Sequence, residues 1–269
     1  MTPAPIQAIA IFDIDGVLRD VGGSYRRALA DTVEHYTHGH YRPSQADIDD
    51  LKAEGCWNND WEGSQELVCR YFEAQGQERS QLGLVYEDLV DFFQRRYRGP
   101  DPTDPDQWTG YICQEPLLVD ADYFAQLTDA GIAWGFFSGA TRGSAHYVLE
   151  RRIGLASPIL IAMEDGPGKP DPTGLFQVVA QLEQAATLPF NLPVIYAGDT
   201  VADLQTIHQA RQQQPQRSWH AVGILPPHVQ TDAHYQADYV TLLTQHGAEK
   251  VLPSVRDLQG DLVHRLIQA

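Results

Sequence analysis

The apolar run Ile9-Ala10-Ile11-Phe12 stops abruptly at Asp13-Ile14-Asp15-Gly16, and this junction constrains the fold more than any other feature. Four apolar residues without polar alternation read as a strand buried on both faces, as in a parallel sheet. Side chains alternate along a strand, so Asp13 and Asp15 leave its end on the same side and approach one small volume. Carboxylates so close repel each other, and folding alone gives no reason to place them there. A bound cation would justify the pair, as would chemistry that needs one carboxyl ionised and its neighbour protonated. Taken alone, the tripeptide reads equally well as two solvated aspartates in a strand-to-turn connection.

The rest of the chain changes character twice. From Ser24 to about Arg98 the pattern is helical and amphipathic, with helices predicted at 24–36, 45–54, 64–73 and 86–97. The acidic, proline-rich link at 99–105 cannot be helical. Beyond it, strands are predicted at 132–137, 158–162 and 193–197, with late strands at 219–225 and 238–243. Helices are predicted at 143–152, 173–186, 201–212 and 255–267. Strand–helix alternation implies a doubly wound parallel sheet, an α/β Rossmann-like core whose function sits at the carboxyl ends of its strands. The expected organisation is a core of residues 1–21 and 106–269, with an inserted all-helical cap of residues 22–105 over that edge.

A length of 269 residues and 43% hydrophobic content suffice for such a core with a smaller partner domain. The net charge of −17 argues against nucleic acid and anionic membrane surfaces as partners. An anionic substrate would need a local cationic centre, and Lys52, Lys169 and Lys250 are the only lysines. Three cysteines (Cys56, Cys69, Cys113) without Cys-x-x-Cys spacing read as reduced and buried. No run approaches transmembrane length, and the first residues lack a charged segment followed by an apolar one, so a cytoplasmic protein is expected. Oligomeric state is not legible.

Four polar clusters follow predicted strands or open helices: Asp13/Asp15, Ser138 after Phe136-Phe137, Lys169 in Gly168-Lys169-Pro170, and Asp199/Asp203 in Gly198-Asp199-Thr200-Val201-Ala202-Asp203. Strand carboxyl ends share one edge of a parallel sheet, so these clusters can converge. Separately, Ser138 is also a plausible turn or cap residue, Lys169 a surface lysine, and Asp203 a first-turn helix carboxylate. Together and in this order, the motifs Asp-x-Asp-Gly-x-Leu, Ser, Gly-Lys-Pro and Gly-Asp-x-x-x-Asp resemble those of the haloacid dehalogenase superfamily, in the branch with a helical cap after the first strand.

The resemblance implies roles residue by residue. Asp13 would be the nucleophile, forming an aspartyl-phosphate, and Asp15 the general acid and then base. Ser138 and the backbone amide of Gly139 would bind phosphoryl oxygens, and Lys169 would neutralise their charge. Asp199 would hold Mg2+ with Asp13 and the backbone carbonyl of Asp15, while Asp203 would orient the metal's waters. Within the superfamily, relatives that dehalogenate haloacids or cleave phosphonates lack an aspartate matching Asp15. An alkoxide leaving group needs the proton Asp15 can give, so the expectation is a Mg2+-dependent phosphatase of a small phosphorylated metabolite. The alternative enzyme is a phosphosugar mutase like the β-phosphoglucomutases, and the other class is a silent binding module.

In the cap, Gly22-Gly23 is either a hinge or an ordinary glycine turn. The loop bearing Trp57, Asn58 and Asn59 suits a polyhydroxylated ligand, or else the tryptophan anchors the loop and the amides make a turn. Arg19, Arg26 and Arg27 are candidates to meet a second anionic group, with Arg27 carried forward as a substrate contact. His35, His38 and His40 match no zinc spacing.

Overall fold

The computed structural model describes residues 5–268; residues 1–4, read above for the lack of a leader signal, lie outside the described residues. The described residues form two compact units, one of residues 5–20 with 117–268 and one of residues 21–116. In chain order, β1 (Ala8–Phe12) leads into four helices, α1 (Tyr25–Tyr36), α2 (Gln45–Ala53), α3 (Asp60–Ala74) and α4 (Tyr86–Tyr97). The chain continues through α5 (Ala121–Asp129), β2 (Ile132–Phe137), α6 (Arg142–His146), β3 (Leu160–Ile161), α7 (Thr173–Ala185) and β4 (Val194–Gly198). The last elements are α8 (Val201–Gln213), β5 (Trp219–Ile224), α9 (Ala233–Gln245), β6 (Lys250–Leu252) and α10 (Gly260–Leu266).

The six strands pair in parallel in the order β3-β2-β1-β4-β5-β6. Every residue of β1 is buried. Ala10 and Phe12 face Phe124, Phe136 and Val148 on one side of the sheet, while Ile9 and Ile11 face Leu175, Val178 and Ile207 on the other. Helices cover both faces, which is why β1 reads as an uninterrupted apolar run. Phe12 lies level with Phe136 in β2 and with Ala197 in β4. The strand order reverses between β1 and β4, so the chain emerging from β1 enters the crevice at the topological switch point. Among the described residues, no helix is long and apolar enough to cross a membrane.

Several expectations are corrected. Residues 238–243 belong to α9, not to a strand, and the sixth strand is Lys250–Leu252. Asp232 caps α9 by accepting from the His234 and Tyr235 N–H groups, and Tyr239 and Leu243, four apart, are its buried residues. That is helical spacing, which the β-branched and apolar composition of the stretch obscured. Helix α5, capped by Asp120, was not anticipated. The predicted closing helix is a 3-10 turn at Val255–Asp257 followed by α10. The three thiols are free as expected, yet Cys56 is exposed and only Cys69 is buried.

The boundary between the units lies past the proline-rich link, so residues 106–116 go with the helices. The chain folds back on the end of α4, where the Thr109 and Gly110 N–H groups both donate to the Arg98 carbonyl at 2.9 Å. A Cβ at Gly110 would lie 2.4 Å from the Tyr97 carbonyl oxygen, so only glycine permits this approach. Tyr111 then donates its hydroxyl to Asp31 of α1 at 2.7 Å.

Within the helical unit, α1 packs on α3 and α4, with the Tyr25 and Phe93 rings edge to face at 5.9 Å. Arg26 is buried; its Nε donates to Gln45 Oε1 at 2.6 Å and its Nη2 pairs with Asp49 of α2. Truncating Asp49 to Ala would strand that guanidinium, at an expected cost of about 3–5 kcal/mol. Hydrogen exchange should then show lost protection across residues 21–116 while the sheet stays protected. Unchanged exchange there would mean that the pair is not what holds α2.

Candidate active site

Asp13 is the first residue past β1, and its N–H still donates to the Ala197 carbonyl of β4 at 2.9 Å. That bond fixes its backbone between two strands. Its Oδ1 accepts the Ile14 N–H at 2.7 Å, and the side chain is buried. Asp199 follows β4, and Asp203 lies in the first turn of α8. One carboxylate oxygen from each of Asp13, Asp199 and Asp203 lies within 4.8 Å of the others. Gly16 makes room for this: a Cβ there would sit 2.0 Å from Asp199 Oδ2, and its φ is +74°. Both facts select glycine.

Lys169, which precedes α7, supplies the opposing charge. Its Nζ lies 3.1 Å from Asp13 Oδ1 and 2.6 Å from Asp203 Oδ1, with 1% of its side chain exposed. The Tyr196 hydroxyl is 2.8 Å from Asp203 Oδ1 and 3.1 Å from the Phe137 carbonyl. Asp203 Oδ2 accepts from Thr200, from the hydroxyl at 2.7 Å and the N–H at 2.9 Å, in a capping box that starts α8. Asp203 thus closes a helix terminus and pairs with a lysine at once.

Electrostatics follow from this packing. Burial, reinforced by the charges of Asp203 and Asp15 against that of Lys169, pushes the Asp13 carboxyl up to about 6. Burial would also raise Asp203, but the Lys169 charge and the Lys169 and Thr200 hydrogen bonds overcome it and hold that carboxyl below its ordinary value. Burial opposes the Lys169 charge, yet Asp13 and Asp203 keep its ammonium above the usual lysine range. Burial and the adjacent Asp203 raise the Tyr196 phenol well above the tyrosine range, so it stays a donor.

Three carboxylates against one ammonium leave two negative charges, the deficit a hard divalent cation would fill. Oxygen donors in a compact cluster suit Mg2+. Ser138 follows β2, next to β1 in the sheet; it is buried and its Oγ accepts the Ala140 N–H at 3.2 Å, which leaves its own proton free to be donated. Gly139, beside it, is partly exposed.

Asp15 lies apart from the carboxylate trio. Its Oδ1 accepts from Arg19, from Nε at 2.6 Å, with Nη2 at 2.5 Å. Arg19 itself is fully buried, and Arg26 is engaged with Gln45 and Asp49, so neither extends into solvent. Of the candidates in the helical unit, Arg27 lies 4.3 Å over the Tyr111 ring in a recess of about 650 Å³ that also holds Asp31, His35 and Arg96. Trp57 lines a different recess and donates its indole N–H to Glu54 at 2.7 Å. Asn59 caps α3 by accepting the Trp61 N–H at 3.0 Å, and Asn58, next to it, is partly exposed. The structure therefore gathers Asp13, Lys169, Asp199 and Asp203, and does not gather Arg27 with Trp57.

Sequence reasoning missed Tyr196, which sits in an apolar strand and reads as core. Thr200 was legible, since Thr-x-x-Asp ahead of a helix is a capping signature. Replacing Tyr196 by Phe removes a donor from an ionised, buried carboxylate. The expected loss is about 1.5–3 kcal/mol of stability, read from urea unfolding.

Known proteins resemble this chain in sequence profile and in fold. The sequence profile of the haloacid dehalogenase-like hydrolases matches residues 8–211. An imidazoleglycerol-phosphate dehydratase from Phytophthora nicotianae is 28% identical over 205 residues, which are 75% of this chain and 41% of that protein. The chain spans less than half of that relative, whose named reaction describes the larger protein. A phosphonoacetaldehyde hydrolase-like protein from Oleispira antarctica has a similar fold, with a TM-score of 0.66 at 18% identity, over 99% of this chain and 95% of that one. Phosphatase Tt82 from Thermococcus thioreducens gives a TM-score of 0.60 at 19% identity, over 86% of this chain and 98% of its own. At these identities the likeness is one of fold. With the family profile matched over most of its length, from β1 into α8, the chain belongs to the haloacid dehalogenase-like hydrolases.

Proposed function

We propose that this hydrolase is a Mg2+-dependent, cytoplasmic phosphatase of a small phosphorylated metabolite, working through an aspartyl-phosphate on Asp13. The observation that supports it most is the clamp of Lys169 on Asp13 and Asp203, which sets a cation beside a buried carboxylate at a sheet's switch point. Asp13 Oδ1 is occupied by the Ile14 N–H and by Lys169, so Oδ2 is the oxygen that attacks phosphorus.

As the bond from Asp13 to phosphorus forms, the ester P–O bond breaks and Asp15 gives its proton to the departing oxygen. Asp15, now ionised, takes a proton from the water that attacks the phosphorus in turn. The Asp13–phosphorus bond breaks and inorganic phosphate leaves. Lys169 and the Ser138 hydroxyl oppose the charge on the phosphoryl oxygens throughout. Asp13, Asp199 and the Asp15 carbonyl would hold the Mg2+ and Asp203 would orient its waters; when bound, the ion supplies further neutralisation of phosphoryl charge.

Purified protein should release phosphate from p-nitrophenyl phosphate and from members of a phosphometabolite panel, with activity lost in EDTA and restored by Mg2+. Asp13→Asn should lower kcat/KM by about 10⁴-fold or more, as expected for a lost nucleophile. Phosphate release separates this reading from a mutase, which returns the phosphoryl group to a substrate hydroxyl. A wild-type protein inert toward the whole panel, or an Asp13→Asn variant as active as wild type, would overturn it.

A further inference from the structure

We infer that Arg19 is a positioning residue for Asp15: it holds Oδ1 and thereby assigns the proton-transfer work to Oδ2. The inference rests on the phosphatase reading above. Three arginines are buried among the described residues. Arg26 locks α1 to α2 through Gln45 and Asp49, and Arg217 reaches Glu183 at 2.7 Å and the Leu192 carbonyl at 3.1 Å, both uses internal to scaffold elements. Arg19 alone is spent on the turn that follows Asp13. Burying a guanidinium is costly without partners, and one of its partners, Asp15, is a residue assigned to the chemistry.

The backbone leaves this pair little freedom. The Gly16 N–H donates to the Arg19 carbonyl at 3.0 Å, and the Leu18 N–H to the Ile14 carbonyl at 2.8 Å, closing the turn on itself. Asp15 bridges Arg19, and Arg19 bridges Leu117 in turn. The Leu118 N–H donates to the Leu18 carbonyl at 2.8 Å, tying the returning chain to the same turn. Arg19 is therefore fixed through its own backbone, and its side chain fixes Asp15, whose side chain remains 15% exposed.

Where the guanidinium meets Asp15, its Nε and its Nη2 both fall on Oδ1. A guanidinium only donates, so Oδ1 must accept whether Asp15 is ionised or protonated. The carboxyl proton, when present, rests on Oδ2, the oxygen left for the leaving group and then for water. Arg19 touches neither substrate nor phosphorus; it sets the direction from which the proton is given and taken. A planar donor with two N–H groups on one oxygen restricts rotation about the Asp15 carboxyl in a way a lysine cannot reproduce.

Leaving-group dependence tests this role. An aryl ester such as p-nitrophenyl phosphate departs without a proton, whereas an alkyl ester such as glycerol phosphate requires one. In Arg19→Met, kcat/KM for the alkyl ester should fall about 100-fold and for the aryl ester no more than about tenfold, the difference being general-acid catalysis. Arg19→Lys should restore part of the alkyl rate, and it also serves if the Met variant fails to fold by circular dichroism. In an Asp15→Asn background, adding Arg19→Met or Arg19→Lys should leave the alkyl-to-aryl ratio where Asp15→Asn alone puts it. Equal losses on both esters in a folded variant, no loss on either, or a further shift of the ratio in the Asp15→Asn background would overturn the inference. A wild-type enzyme inert toward both esters would instead overturn the phosphatase reading, and the role of Arg19 with it.

Discussion

The ammonium of Lys169 is the interaction on which the α/β unit's centre depends. It touches a carboxylate from the end of β1 and another from the start of α8, while the segment that carries it leads into α7. Three segments distant in sequence are thereby bound at one point. Without it, Asp13, Asp199 and Asp203 would be an uncompensated buried anionic cluster, costly enough to force protonation or local opening. The supporting bonds are arranged around that pair: Tyr196 and Thr200 saturate Asp203, and the Ile14 N–H meets Asp13. One cation for three carboxylates is still a deficit, and a cluster with such a deficit in a buried crevice could hold another positive charge.

Backbone proximity makes that crowding possible. Gly16 lets the turn after β1 lie against Asp199, and Gly198 lets the end of β4 lie against Asp203, where a Cβ would come within 2.4 Å of the Asp203 Cβ. Both are glycines of the sequence motifs, and both are selected by space rather than by chemistry. The strand order does the rest. Because the chain turns in opposite directions on the two sides of the β1–β4 pair, no crossover helix fills the crevice at their carboxyl ends.

What was legible in the sequence follows the same physical lines. The strands buried on both faces announced themselves as apolar runs; Asp13 and Asp199 were legible because each follows one, and Asp203 because it opens the helix after β4. Residues 238–243 misled because they combine strand-favouring composition with helical spacing, and the cap at Asp232 lies outside the window that was read as a strand. The edge strand Lys250–Leu252 is too short and too exposed to carry a period at all. Tyr196 was missed, and Arg19 was read as a candidate for a substrate anion rather than as a buried partner of Asp15, for opposite reasons. A tyrosine in an apolar strand is indistinguishable from core until its hydroxyl finds a partner, and an arginine after a motif reads as a solvated side chain until the turn buries it.

The two aspartates that looked like an electrostatic problem share a motif but not a partner. Asp13 remains held to β4 through its backbone and faces Lys169; Asp15, two residues on, has left the strand and faces Arg19. Each carboxylate therefore has its own cation, one an ammonium and one a guanidinium. Asp15 still helps to raise the Asp13 carboxyl, so the separation is incomplete. The difference in partner suits a difference in task. A compact ammonium on Asp13 Oδ1 compensates charge while leaving the other oxygen free to bond, whereas a planar guanidinium constrains orientation, which proton transfer demands. Repulsion between like charges is thus resolved by giving each its own counter-charge, and the same geometry fits the proposed division of labour, in which Asp13 attacks and Asp15 carries the proton.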